Sequence, residues 1–267
     1  MIFIDFYNIK IKDFDNSHKQ IIIYSKMNRY NFSNLSCEDK NDNELSPHLS
    51  IDELVYKVNK SAKSSKNRSK NMIYDYARSN EWKWFVTMTF DPKKVDSFDY
   101  EIVTKKLSQW LKNIHKRKCP NMKYLFVPEL HPTSGRFHFH GIMNNIDELE
   151  ILDSGHVDND GNIIYNIGSY KLGFTTATKI RDTEKVAMYI GKYVTKELSA
   201  VAKNKKKYWV SKNLNIPSVT VYEGDMEELD FGVHGAIIND SEYDMVNFKQ
   251  VKKGDGYIRY YELKKKE

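Results

Sequence analysis

The chain has 267 residues, 40% hydrophobic and 13% aromatic, enough for one sizeable core with appendages or for two small ones. Its formal net charge of +6 and pI near 8.9 are compatible with a polyanion partner. Cys37 and Cys119 stand far apart with no CxxC, which argues against a zinc ribbon or a disulfide framework, and the lack of a signal-like start or a long apolar run points to a soluble, cytoplasmic protein with no membrane partner.

In chain order, Ile2–Ile11 and Ile21–Tyr24 read as β-like runs, and residues 33–50 have the composition of a linker. From Ile51 to about Ser79 the pattern is helical at both ends. Its middle, Lys60 to Lys70, is a basic tract that reads as a solvated helix or a hinge. Trp82–Phe90 alternates, with Trp84, Val86, Met88 and Phe90 on one face, and is predicted to be a strand. Asp99–Arg117 carries apolar residues at helical steps, Asp99 as N-cap and a basic last turn, before Cys119-Pro120 stops it.

Met122–Leu130 and Arg136–Met143 are predicted strands joined by a short His-Pro-Thr-Ser-Gly connection. Asp147–Leu152 suggests a short helix. Ile163–Tyr165 and Phe174–Lys179 suggest strands, and Asp182 caps a helix expected to run to about Leu198. Residues 217–235 look irregular and the remaining tail loose. The expected organisation is an N-terminal extension with a basic segment (1–80), a central domain (81–199) and a basic C-terminal extension (200–267).

Two motifs carry chemistry. In the first, His138-Phe139-His140, strand alternation sends both imidazoles to one face. A lone His-x-His pair is more often structural than metal-binding. If the preceding hairpin centres between Thr133 and Ser134, however, Glu129 lies opposite His138 and joins the pair. Two imidazoles and a carboxylate suit a divalent ion such as Mn or Zn, or Mg when substrate phosphate adds oxygens. His131 is a rival third ligand ranked below Glu129.

The second motif is Tyr189-Ile-Gly-Lys-Tyr193-Val-Thr-Lys196. On a helix the two tyrosines share a face, with Lys192 and Lys196 alongside. Ordinary amphipathic tyrosines would explain one such residue. A doubled Tyr-x-x-Lys downstream of an acid-His-His set fits phosphodiester attack by a phenol, with lysine stabilising the developing charge. Lys203, Lys205, Lys206 and Lys207 are candidates to track a nucleic-acid backbone, with Tyr208 or Trp209 stacking a base.

With these residues in hand, His138-Phe139-His140-Gly141 resembles the motif of HUH endonucleases. Phe85-Val-Thr-Met-Thr-Phe-Asp-Pro92 is similar to the first motif of rolling-circle replication initiators, and the Tyr189–Lys196 segment resembles the two-tyrosine motif of gene-A-like phage and plasmid initiators. The resemblance spans roughly residues 82–199. It implies an α+β fold with a central antiparallel sheet of about five strands and helices on one face, a ferredoxin- or RRM-like palm.

It also implies metal-dependent (Mn or Mg) nicking and rejoining of single-stranded or hairpin origin DNA in a bacterial host, through a 5′-phosphotyrosine on Tyr189 or Tyr193. No GxxxxGK[ST] loop occurs, so helicase and polymerase would come from the host. Alternatives are an HUH transposase or mobilisation relaxase with the same chemistry, or a non-catalytic single-stranded DNA-binding module.

Overall fold

The computed structural model describes residues 6–14, 17–29, 51–195, 198, 201–202, 205–224 and 242–266, with side chains omitted for 51–60 and 62. The chain divides into two compact units, one of Met1–Pro47 with Ile216–Glu267 and the other of His48–Asn215.

The first unit is an antiparallel sheet. Strands β1 (Phe6–Phe14) and β2 (His18–Arg29) pair as a hairpin with a register shift between Tyr7 and Ile9. Near the other end of the chain come β10 (Ser218–Tyr222), β11 (Tyr243–Lys253) and β12 (Gly256–Lys265). The strand order is β10-β1-β2-β12-β11, so both ends of the chain contribute to one sheet. Ile23, Tyr243, Tyr261 and Leu263 form its small core, packed by Ile9, Ile21 and Met245. The irregular stretch expected at 217–235 thus begins with a strand, and the tail expected to be loose is a β-hairpin.

The second unit carries the motifs. Helix α1 (Ile51–Arg78) runs unbroken through the basic tract, so Lys60–Lys70 is helix and not hinge. No Gly or Pro interrupts it, and Ile73 and Ala77 are fully buried near its end. Then follow β3 (Trp84–Met88), α2 (Tyr100–Arg117), β4 (Lys123–Leu130), β5 (Phe137–Asn144), β6 (Ile151–Val157), β7 (Ile163–Ile167), β8 (Thr175–Lys179), α3 (Thr183–Ile190) and the short β9 (Trp209–Val210). Their sheet is antiparallel, ordered β6-β7-β8-β3-β5-β4-β9.

The α+β class agrees with the sequence. The sheet has seven strands where about five were expected, and helices cover both faces where one was expected. The reason lies in β4 and β5, whose Leu125, Phe126, Val127, Phe139, Ile142 and Met143 are buried on both sides. On one face Tyr100 at the start of α2 meets Phe137, and Trp209 reaches Ser108 of α2. On the other, Phe85 meets Tyr189 of α3, which packs beside α1.

Asp99 caps α2 as expected, accepting hydrogen bonds from the backbone N–H groups of Glu101 and Ile102. Asp147–Leu152 is not helical. It makes a turn closed by Leu149 N–H to Ile146 O and then enters β6, whose backbone pairs with β7. Among the described residues, no helix is long and apolar enough to cross a membrane.

Candidate active site

Strand pairing builds the site. Glu129 stands directly opposite His138, the register expected from a hairpin centred between Thr133 and Ser134. On the other side of β5, Thr87 pairs with His140. Alternation then sets Glu129, His138, His140, Thr87 and Phe85 on one face. Phe139, on the opposite face, is fully buried.

Gly141 permits this arrangement. A Cβ there would lie 2.2 Å from the Phe126 ring, so only glycine lets that ring cross β5 beside His140. His140 is 9% exposed and bonded at both nitrogens. Its Nε2 is 2.7 Å from Glu129 Oε2, and its Nδ1 is 3.1 Å from Thr87 Oγ1. An ionised carboxylate only accepts, so Nε2–H donates to Glu129 and the Thr87 hydroxyl donates to Nδ1. Thr87 therefore fixes the His140 ring, a role legible in the sequence only once the β3–β5 register is known.

Burial pushes the His140 pKa below the usual histidine value, partly opposed by the bond to Glu129. His138 is also lowered, by burial and then by His131 and Arg136, with Glu129 opposing. Both rings are therefore neutral near pH 7, with lone pairs available for coordination. His131 stacks on His138 with ring centroids 5.3 Å apart.

As a donor set, two imidazoles and a carboxylate fit a divalent ion. Among the described residues no group of three or more His, Cys, Asp and Glu stands ready to hold a metal ion. Here Glu129 and His140 satisfy each other directly, so the donors fit by chemistry, with the proton between them to be displaced.

The tyrosines arrive from the other side. Asp182 caps α3 by accepting from Lys185 N–H, but the helix stops at Ile190. Gly191–Tyr193 form a 3-10 turn, and Val194 leaves helical geometry. The expected continuous helix to Leu198 is thus corrected. Gly191, a poor helix former, stands where the helix changes pitch.

Even so, Tyr189 and Tyr193 meet. The Tyr193 hydroxyl donates to the Tyr189 hydroxyl at 3.0 Å, with the rings edge to face. The Tyr193 ring lies parallel to the His140 imidazole, centroids 3.7 Å apart. Lys192 Nζ stands 4.3 Å from the Tyr189 ring centroid. Burial, and then the bond to Tyr189, hold the Tyr193 phenol well above its usual pKa. The structure therefore gathers Glu129, His138, His140, Tyr189, Tyr193 and Lys192 in one place.

Residues 83–198 match a family of replication-associated proteins, that of ORF2 and the gene 2 protein. The match covers less than half of the chain, lies within the second unit and contains all six of those residues. No curated protein and no solved structure shows a significant match to the chain. The similarity to a replication-associated family is consistent with a replication initiator.

The basic run downstream is placed differently from expectation. Lys205 pairs with Glu101 at 2.6 Å, and Lys206 lies over the Trp209 ring. Lys207 is buried and bonds Ser65 Oγ. Trp209 is a core residue, edge-on to Phe139, its indole N–H donated to Ser108. It offers no free face to a base. A lysine run reads as a solvated strip until tertiary partners are known, and these partners come from α1 and α2. Lys196 and Lys203 lie outside the described residues.

Proposed function

We propose that the chain is a replication initiator that nicks and rejoins single-stranded origin DNA through a 5′-phosphotyrosine. The observation that carries this reading is the contact of two phenols with the His140–Glu129 pair on one sheet face. The similarity to a replication-associated family supports it independently.

Glu129, His138 and His140 would hold the divalent ion, Mn or Mg, whose charge would polarise the scissile phosphate and favour in-line attack. With the ion bound, His140 Nε2 gives up its proton and Nδ1–H turns to donate to Thr87 Oγ1. A hydroxyl serves as donor or acceptor, so Thr87 holds the ring in either state.

Tyr189 makes the first attack. It is 41% exposed, its oxygen accepts the Tyr193 hydrogen bond, and Lys192 lies over its ring, all favouring negative charge on that oxygen. The phenol oxygen bonds to phosphorus, the P–O3′ bond breaks, and the leaving oxygen takes a proton to become a 3′-hydroxyl. Attack by that or another 3′-hydroxyl reverses the step and frees the tyrosine. With its hydroxyl 3.0 Å away, Tyr193 can reach the same region for a second cut, so the two alternate.

The test is incubation with an origin-derived single-stranded oligonucleotide and Mn. The expected product is a covalent protein–DNA adduct, absent in the His138→Ala, His140→Ala double variant. Nicking by the Tyr189→Phe, Tyr193→Phe double variant at the normal rate would refute the mechanism.

A further inference from the structure

One aromatic side chain on the site face has no role in the chemistry above. Phe174 is 77% exposed, the highest value for a large apolar side chain among the described residues. Its position follows from pairing. Met88 pairs with Phe139 on one side and with Thr175 on the other, so one step further Thr89 lies between His138 and Phe174. The Thr89 N–H donates to Phe174 O at 2.9 Å, which holds that alignment.

Alternation confirms the face. Thr175 and Ala177 are buried on the α2 side, as are Met88 and Phe90, which leaves Phe174 and Thr89 on the side of His138. Glu129, His138, Thr89 and Phe174 form one cross-strand row. Two strand spacings separate Phe174 from His138, about 10 Å.

The exposed ring is not on a loose loop. Thr89 Oγ1 also donates to Phe174 O, and Asp91 N–H donates to Leu172 O. Gly173 lies so close to the end of β3 that a Cβ would come within 2.2 Å of Thr89 O. The fold thus holds a bare aromatic ring on the site face, about one nucleotide from the imidazoles. One row further, Arg136 precedes His138 by two residues and lies over the half-exposed ring of Phe98, adding positive charge at that end.

We propose that Phe174 is a stacking platform for a base of single-stranded DNA, adjacent to the phosphate held over His138. This deepens the function proposed above by naming a base contact for the same site. A ring stacks on any base, so Phe174 adds affinity and sets the strand's position without reading sequence.

The experiment measures equilibrium binding of the full chain, in EDTA, to an oligothymidylate and to an abasic oligonucleotide of equal length. Phe174→Ala should weaken oligothymidylate binding roughly 5- to 100-fold and leave abasic binding unchanged. Phe174→Trp should retain wild-type affinity, and Phe174→Leu should behave like the alanine variant. The slope of affinity against salt should not change, because no phosphate contact is lost.

Equal oligothymidylate binding by wild type and Phe174→Ala would overturn the stacking subsite while leaving the nicking mechanism standing. Equal loss on both oligonucleotides, or full affinity in Phe174→Leu, would also overturn it. Failure of the wild type to bind any single strand would overturn both proposals.

Discussion

The Tyr193 ring lies flat on the His140 imidazole, with centroids 3.7 Å apart and planes within 6° of parallel. That contact joins two motifs separated by about fifty residues of sequence and makes them one site. It also gives the tyrosines different surroundings. Tyr193 is sandwiched against the sheet, whereas Tyr189 stands at the surface with Lys192 over its ring.

The two phenols should therefore separate kinetically. Tyr189→Phe should slow the first cleavage by at least about a hundredfold, as expected for loss of a nucleophile. Tyr193→Phe keeps the stacked ring, so first cleavage should persist and the second transfer should fail. Gel resolution of first and second products in single-turnover reactions would distinguish them.

Thr87 should matter through His140 alone. Thr87→Val keeps the branched shape on β3 but removes the hydroxyl bonded to Nδ1. The expected effect is a 10- to 100-fold loss of Mn affinity with little change in thermal stability. Titration calorimetry beside a melting curve would measure both.

Gly141 has a steric reason to be glycine. In Gly141→Ala, the new methyl meets the buried Phe126 ring, which has no room to withdraw. A destabilisation of about 1–3 kcal/mol is expected from overpacking, measured by denaturant unfolding. Cleavage should fall as well, because the adjacent His140 shifts with the strand.

Asp182 caps the tyrosine helix, and its carboxyl lies below the ordinary pKa, chiefly because Lys185 N–H donates to it. A depressed folded pKa contributes stability above the unfolded value of about 4, and this is lost as pH falls through the folded value. Asp182→Ala should cost about 0.5–1 kcal/mol at pH 7, toward the low end for a cap because the carboxylate is well exposed. Unfolding curves of wild type and variant should converge as pH drops below about 4.

Local features of the nuclease-like region were legible because they depend on short-range rules. Alternation in Trp84, Val86 and Met88 identified β3, and the hairpin's centre set Glu129 against His138. Asp99 and Asp182 were readable as caps because their side chains bond N–H groups only two or three residues on.

What depended on distant partners was hidden. The pairing of β2 with β12 joins His18–Tyr24 to Ile258–Lys264 across more than two hundred residues, and no local pattern encodes it. Lys205, Lys206 and Lys207 looked like a free strip until Glu101, Trp209 and Ser65 were found beside them. The break at Gly191 was visible as a glycine, yet one glycine inside a helical pattern is often tolerated, so periodicity pointed the other way.

The most direct measurement is mass spectrometry of the adduct formed with an origin oligonucleotide and Mn. The account predicts a 5′-phosphoryl nucleotide on the peptide carrying Tyr189, moving to Tyr193 on a second cut, with a free 3′-hydroxyl on the other product. An adduct on any other side chain, or cleavage with no covalent intermediate at all, would contradict it.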